Sequence, residues 1–226
     1  MSQTVEMHII ARIRSDFPTK FGIPRQSGLA DVPARIVFEP EYRNADALRG
    51  IEGFSHLWLI WQFSAAVREG WSPTVRPPKL GGNKRIGVFA TRSPFRPNEI
   101  GLSSVRLDRV EPNTPDGPVL HISGADLMDG TPIFDIKPYL AYTDSHPEAL
   151  GGFALTTDAV RVECPASLLE KLPEERRQTL LNVLAQDPRP GYQHEASRVY
   201  GFPFAGFEVK FTVEGDLLTV RQIESR

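Results

Sequence analysis

Cysteine is almost missing from this 226-residue chain: Cys164 stands alone, which excludes an intrachain disulfide and a cysteine-rich zinc site. No stretch approaches the roughly 20 apolar residues needed to span a bilayer. The opening segment, MSQTVEMHIIARIRSDF, lacks the basic-then-apolar order of a secretion signal, so a cytoplasmic protein without a membrane is expected. Also missing are GxGxxG after a strand, GxxxxGKS/T, HExxH and GxSxG, the signatures of dinucleotide folds, P-loop enzymes, zinc proteases and serine hydrolases. The five histidines (His8, His56, His121, His146, His194) show no metal-ligand spacing, and no metal site is expected. His56 lies within an apolar strand and reads as a hydrogen-bonded core residue. Cys164, beside Pro165, carries no activating feature and reads as structural.

Charge is unevenly placed. Arg68 to Arg109 holds nine Lys/Arg against three acids, a net of +6, whereas the rest, 17 basic against 25 acidic, is −8. A local basic field in an acidic protein suits a polyanion such as RNA, although a solvated face neutralised from elsewhere in the fold has the same composition.

The first two-thirds read as β. Met7–Ile13, Ala34–Phe38, Phe54–Phe63, Arg85–Ala90, Ser103–Val110, Val119–Ser123 and Ile133–Ile136 are short β-branched or aromatic runs punctuated by Gly, Pro, Asn or Asp. FSHLWLIWQF is apolar almost throughout, which predicts a central strand covered on both faces. SSVRLDRV alternates, placing Val105, Leu107 and Arg109 on one side. Asn44–Arg49 fits a short helix. After about Tyr142 the composition changes. Glu174–Ala185 carries Leu180, Leu181 and Leu184 at helical spacing, and Phe207–Val213 and Leu217–Ile223 form a hairpin around Glu214-Gly215-Asp216. The expected fold is mainly β (α+β overall): a β-barrel over residues 1–142, then a small α+β domain over 143–226.

Chemistry is left to dense loops. Proline fixes φ and arginine offers a rigid donor fork, so loops such as FATRSPFRPNEIG present aimed cations. Its Arg92 and Arg96 flank a Pro94-Phe95 corner, which suits a stacked base and a phosphate. In DLMDGTPIFDIKPY three acids, Asp126, Asp129 and Asp135, lie near Lys137 and Tyr139. Asp135, Lys137 and Tyr139 alternate, so in an extended segment they share a face while Ile136 points into the core. They are candidate catalytic residues: a carboxylate to take a proton, with a cation beside developing negative charge. An Asp135–Lys137 ion pair closing the barrel rim is the competing structural account.

The blocks GFSHLWLIWQF, TVRPPKLGGN, RIGVFATRSPFRPNEIG, DLMDGTPIFDIKPYL and AQDPRPGY together resemble the TrmO family, from about Ile9 to Tyr192. The resemblance implies an S-adenosylmethionine-dependent tRNA methyltransferase that methylates N6 of N6-threonylcarbamoyladenosine at position 37, beside the anticodon. It further implies a single-sheeted β-barrel that needs no dinucleotide fingerprint, working as a homodimer. Cofactor contacts carry over to Pro24, Arg25 and Gln26, to Phe63 and Ser64, to Arg92, to Leu102, and to Asp126, Leu127, Met128 and Asp129. Three residues depart from the family pattern: Ser27 where proline is common, Ser64 where some relatives have histidine, and Gly191 where alanine is usual. Ser64 leaves a backbone contact as the one that survives. Arg189 and Tyr192 are expected to border the substrate side. Two other function classes fit parts of the sequence: a non-catalytic RNA-binding barrel using the basic loops alone, and a hydrolase holding a divalent metal on the three aspartates.

Overall fold

The computed structural model describes residues 3–67, 69–77, 80, 83–154, 159–189, 195 and 197–226. Three strands come first, β1 (Ala11–Arg14), β2 (Pro33–Phe38) and β3 (His56–Gln62). A short antiparallel ribbon, β4 (Thr74–Val75) with β5 (Ile86–Gly87), precedes β6 (Ile100–Thr114), β7 (Gly117–Ser123) and β8 (Pro132–Pro138). All but the ribbon close into a barrel, in the order β1-β2-β7-β6-β3-β8, and Ala11 opposite Ile133 seals it. Side chains alternate across a strand, so one set from each fills the interior. Ala11, Ile13, Ile36, Leu57, Leu59, Val105, Leu120, Ile122 and Ile133 are that set, and all are buried.

Four local expectations need correction. β3 is not covered on both faces: Leu57, Leu59 and Trp61 point inward, but Trp58 and Ile60 on the outer face stay half-exposed. Alternation in β6 breaks at a bulge between Leu107 and Arg109, which sets Arg109 opposite His121 rather than on the Val105 side. His56 is exposed at the start of its strand, with Nδ1 3.0 Å from Ser55 Oγ, and is not a core residue. Of the runs at Met7–Ile13 and Arg85–Ala90, the first becomes a strand only from Ala11, and the second is strand only at Ile86–Gly87 before a 3₁₀ turn over Val88–Ala90. Asn44–Arg49 holds a 3₁₀ turn over Ala45–Leu48, and the Asn44 side chain accepts from the Asp46 N–H at its start.

The second lobe contains α1 (Ala141–Asp144), β9 (Arg161–Glu163), α2 (Ala166–Leu169), α3 (Glu174–Ala185), β10 (Tyr200–Phe204), β11 (Phe207–Glu214) and β12 (Leu217–Ser225). Its sheet runs β10-β11-β12-β9, with β9 parallel to β12. Glu174 and Glu175 occupy the first turn of α3, where the helix dipole favours negative charge. Thr179, Leu180, Val183 and Leu184 form its buried stripe; Leu181, expected there, sits at the edge, and Val183 replaces it.

The chain between β1 and β2 ties the lobes together. Phe17, Ala30 and Val32 join the second core, alongside Phe202, Phe204 and Phe211. At Gly22, with φ +93°, a Cβ would lie 2.2 Å from the Phe202 ring, so the segment passes the sheet as closely as a bare backbone allows. Arg176 of α3 reaches back to Asp16 at 2.8 Å. Cys164 packs against the same core, and burial pushes its thiol pKa up, in keeping with a structural role. No helix among the described residues is long and apolar enough to cross a membrane.

Candidate active site

Four chain segments meet at one end of the barrel. β3 delivers Trp61 and then Phe63, whose rings stand edge to face with centroids 4.3 Å apart. The Trp61 indole lies on Gly101 of β6, where a Cβ would come within 2.3 Å of it. Trp61 Nε1–H donates to Ser103 Oγ (2.9 Å), and Ser103 Oγ–H donates to Asp126 Oδ1 (2.6 Å). The backbone N–H groups of Asp126 and Ser27 face the same carboxylate, which sets the 24–28 loop beside β6.

Burial dominates the electrostatics of Asp126. It pushes the carboxyl pKa up, against the lowering effects of Ser103, the two amides and the nearby Arg92 charge. Arg92 donates to the Gln26 side-chain oxygen and is exposed. Pro24 is buried beneath that loop, and Ser64 is exposed just past Phe63.

The second lobe braces the rim. Arg25 donates to the carbonyls of Asp187 (3.1 Å) and Arg189 (2.8 Å). Arg189, 9% exposed, holds both Asp187 carboxylate oxygens, at 2.8 and 2.9 Å. Asp187 adopts φ +47°, a strained value for a residue other than glycine, and the bidentate pair offsets that cost. Arg189 therefore fixes the turn that holds Arg25. Tyr192, the other residue named from that block, lies outside the described residues.

The remaining candidates fall elsewhere. The Leu127 side chain is buried in the barrel core, and its carbonyl accepts from Ser15 Oγ (3.0 Å). The Met128 carbonyl is taken by Thr131. Asp129 turns away from Asp126: its Oδ1 accepts from the Ser15 N–H (3.0 Å), and Arg14 lies 3.8 Å from Oδ2. Asp135 and Lys137 pair at 2.9 Å on the outer face of β8. Tyr139, just past β8, packs its ring against Trp58 at 5.6 Å. Ile60 of β3 pairs with Asp135 on one side and Leu102 on the other, so Leu102, 53% exposed, shares that outer face. The three aspartates do not converge, and each has its own partners.

Two hollows of about 410 and 580 Å³ lie against β1, β2, β6 and β7, around Arg14 and Arg35. Their walls neutralise themselves through Arg12–Glu39, Arg109–Glu111 and Arg176–Asp16. Burial raises the Asp16 carboxyl pKa against the pull of Arg176. Trp61 and Ser103 were not among the sequence candidates; the signal was Gly101 and Ser103, two small inward residues on β6 beside an inward tryptophan on β3.

A packed six-stranded barrel with a buried, hydrogen-bonded carboxylate at one rim, reached by Arg92 from the basic excursion between β3 and β6, defines a class: a barrel whose candidate site lies outside its core. Comparison with known proteins narrows it. The tRNA-methyltransferase O N-terminal domain matches residues 12–145, and the TrmO C-terminal domain residues 157–226. The tRNA (adenine(37)-N6)-methyltransferase of Escherichia coli K12 is 42% identical over 228 residues, covering 96% of this chain and 97% of the relative. A crystal structure of TrmO from Pseudomonas aeruginosa superposes with a TM-score of 0.80 at 33% identity, covering 100% of this chain and 99% of the other. A protein of Methanothermobacter thermautotrophicus named "Probable S-adenosyl-L-methionine-binding protein" is 35% identical over 141 residues, 62% of this chain and 94% of its own. The chain belongs to the TrmO family.

The raised Asp126 pKa has a measurable consequence. A folded-state carboxyl pKa above the unfolded value means the native chain binds the proton more tightly. Its contribution to stability therefore falls as pH rises from the ordinary carboxylate range through the raised pKa. Asp126→Asn removes this slope. The Tm of the variant minus that of wild type should become more positive from about pH 4 to about pH 7. A constant difference would show that Asp126 titrates alike in the folded and unfolded chains.

Proposed function

We propose that this chain transfers a methyl group from S-adenosylmethionine to N6 of adenosine 37 in tRNA, where that adenosine carries the threonylcarbamoyl group. S-adenosylmethionine supplies an electrophilic methyl group on a sulfonium. The rim chemistry fits such a molecule. Phe63 offers an aromatic wall, Gln26 and the Asp126 carboxylate suit ribose hydroxyls or an ammonium group, and Asp126 tolerates nearby positive charge. Pro24, Arg25, Ser64, Arg92 and Leu102 complete the proposed contacts, with the backbone of Leu127, Met128 and Asp129 shaping the loop that carries Asp126.

The observation that carries the RNA half of the reading is the clustering of unpaired cations between β3 and β6. Arg25, Arg76, Lys84, Arg85, Arg92 and Arg96 form no ion pair among the described residues, whereas Arg12, Arg14, Arg43, Arg106, Arg109 and Arg176 all do. Other cations, among them Lys20, Arg35, Arg177 and Arg221, also lack an ion pair among the described residues, but residues 70–98 are set apart by carrying six Lys/Arg and no Asp or Glu, a one-sign field from which a polyanion would gain most. The relatives' names support N6 of adenine 37 in tRNA as the methylated position, and the threonylcarbamoyl group is the finer part of this proposal. An arginine there would hold the threonyl carboxylate.

N6 of the substrate is a poor nucleophile, because its lone pair is delocalised into both the purine and the carbamoyl group. Proton removal is then the main chemical demand. Asp135 is the proposed acceptor, with Lys137 beside the developing charge and Tyr139 packing the face. Supporting this, the Asp135–Lys137 pair sits beside Leu102 on the outer wall, one strand removed through Ile60. The same wall leaves Ile60, Ile100 and Leu102 partly bare, which fits a homodimer covering it. A light-scattering mass near twice 25.2 kDa is expected, and a monomer would contradict it. In this reading residues 1–142 hold cofactor and reacting groups, residues 143–226 brace the rim, and the enzyme works in the cytoplasm.

Two experiments test the reading. Bulk tRNA from cells without this protein should keep threonylcarbamoyladenosine but lose its N6-methylated form in nucleoside mass spectrometry; an unchanged methylated peak would refute the assignment. Asp135→Asn keeps shape but removes the base. It should fold and bind cofactor normally, while single-turnover methylation falls by roughly 10²-fold or more. Near-normal turnover would leave the pair a structural ion pair.

A further inference from the structure

We propose that Trp71 and Phe89 form a stacking platform for an unpaired RNA base next to the nucleotide that is methylated. The inference rests on the tRNA reading above and adds to it a contact outside the rim. Trp71 is 54% exposed and Phe89 73%, the most exposed tryptophan and phenylalanine among the described residues. Leaving two large rings in water forgoes the hydrophobic stabilisation of their burial, so such exposure calls for an occupant. The rings lie together, with centroids 6.2 Å apart and planes inclined by 31°.

The backbone beneath them is built. Thr74 pairs with Gly87 and Val75 with Ile86, the Val88 N–H donates to the Pro73 carbonyl (2.9 Å), and the Ser72 hydroxyl donates to the Thr74 carbonyl (2.9 Å). Val88 is buried directly before Phe89 and anchors it. Platform and rim share one end of the barrel: the excursion leaves β3 at Phe63, carries Arg92, and re-enters the wall at Ile100.

Charge selects the occupant. Residues 70–98 contain six Lys/Arg and no Asp or Glu. Arg76, Lys84 and Arg85 flank the rings in sequence, and none of them forms an ion pair among the described residues; Arg85 donates to Thr74 Oγ1 (3.2 Å). Exposed aromatics within a one-sign basic field are what a single-stranded nucleic acid requires, bases on the rings and phosphates on the cations. A second copy of this chain fits less well, because an isologous contact would set this cationic segment against itself.

The test uses the full chain and an unmodified anticodon stem-loop RNA. RNA should quench tryptophan emission in the wild type. Trp71→Phe should lose most of that quenching while holding affinity within about twofold, since a ring still stacks. The double variant Trp71→Ala/Phe89→Ala should bind the RNA roughly five- to hundredfold more weakly while binding S-adenosylhomocysteine as wild type does, which also reports an intact fold. Wild-type RNA affinity in the double variant would overturn the platform and leave the methyltransferase reading standing. A double variant that changes from dimer to monomer would assign the rings to a second copy and also overturn it. Failure of the wild type itself to bind this RNA would remove the tRNA reading and the platform together.

Discussion

Closing six strands on themselves leaves an interior only wide enough for side chains. Here Ala11, Ile13, Ile36, Leu57, Leu59, Leu120, Ile122 and Ile133 fill it completely. No ligand can enter such a barrel, so every functional group must sit on its rim or its outer wall. That constraint explains the placement of chemistry in this chain. Trp61 and Ser103 are the last inward residues before the rim, and they pass a hydrogen-bond chain outward to Asp126.

A rim assembled from loops needs bracing, because loops lack the ladder bonds that stiffen strands. The 24–28 loop receives it from both sides. The Ser27 amide faces Asp126, and Arg25 bonds the two carbonyls of a turn locked by Arg189 and Asp187. The second lobe therefore acts on the site through backbone geometry. Its aromatic core in turn takes in Phe17, Ala30 and Val32 from the same inter-strand segment, so the loop is anchored at its base as well as its tip.

Periodicity and turn residues were enough to read the barrel strands, the helix at Glu174–Ala185 and the closing hairpin, because burial imposes a simple pattern on those segments. They did not reveal the bulge at Leu107/Arg109 or the half-bare outer side of β3. A bulge follows from strand register, and an apolar outer face looks the same in sequence whether the same chain or another copy covers it. Proximity in sequence misled most around Asp126, Asp129 and Asp135. One turn and one strand separate them, and they face the rim, the β1 side and the outer wall respectively. Ser103 escaped notice because a serine in an alternating strand carries no signal until its partners are known. The excess of Arg92 and its neighbours was visible from composition; that these cations lack acidic partners needed the fold.

The central claim is that the cofactor lies on the rim, against Phe63, Gln26, Arg92 and Asp126, outside a packed barrel. A crystal structure of this chain with S-adenosylhomocysteine tests it most directly. The account predicts ligand density bounded by those four residues, with one ligand polar group on Asp126. Density confined to the hollow around Arg14, Arg35 and His121, with none against Phe63 and Asp126, would contradict it.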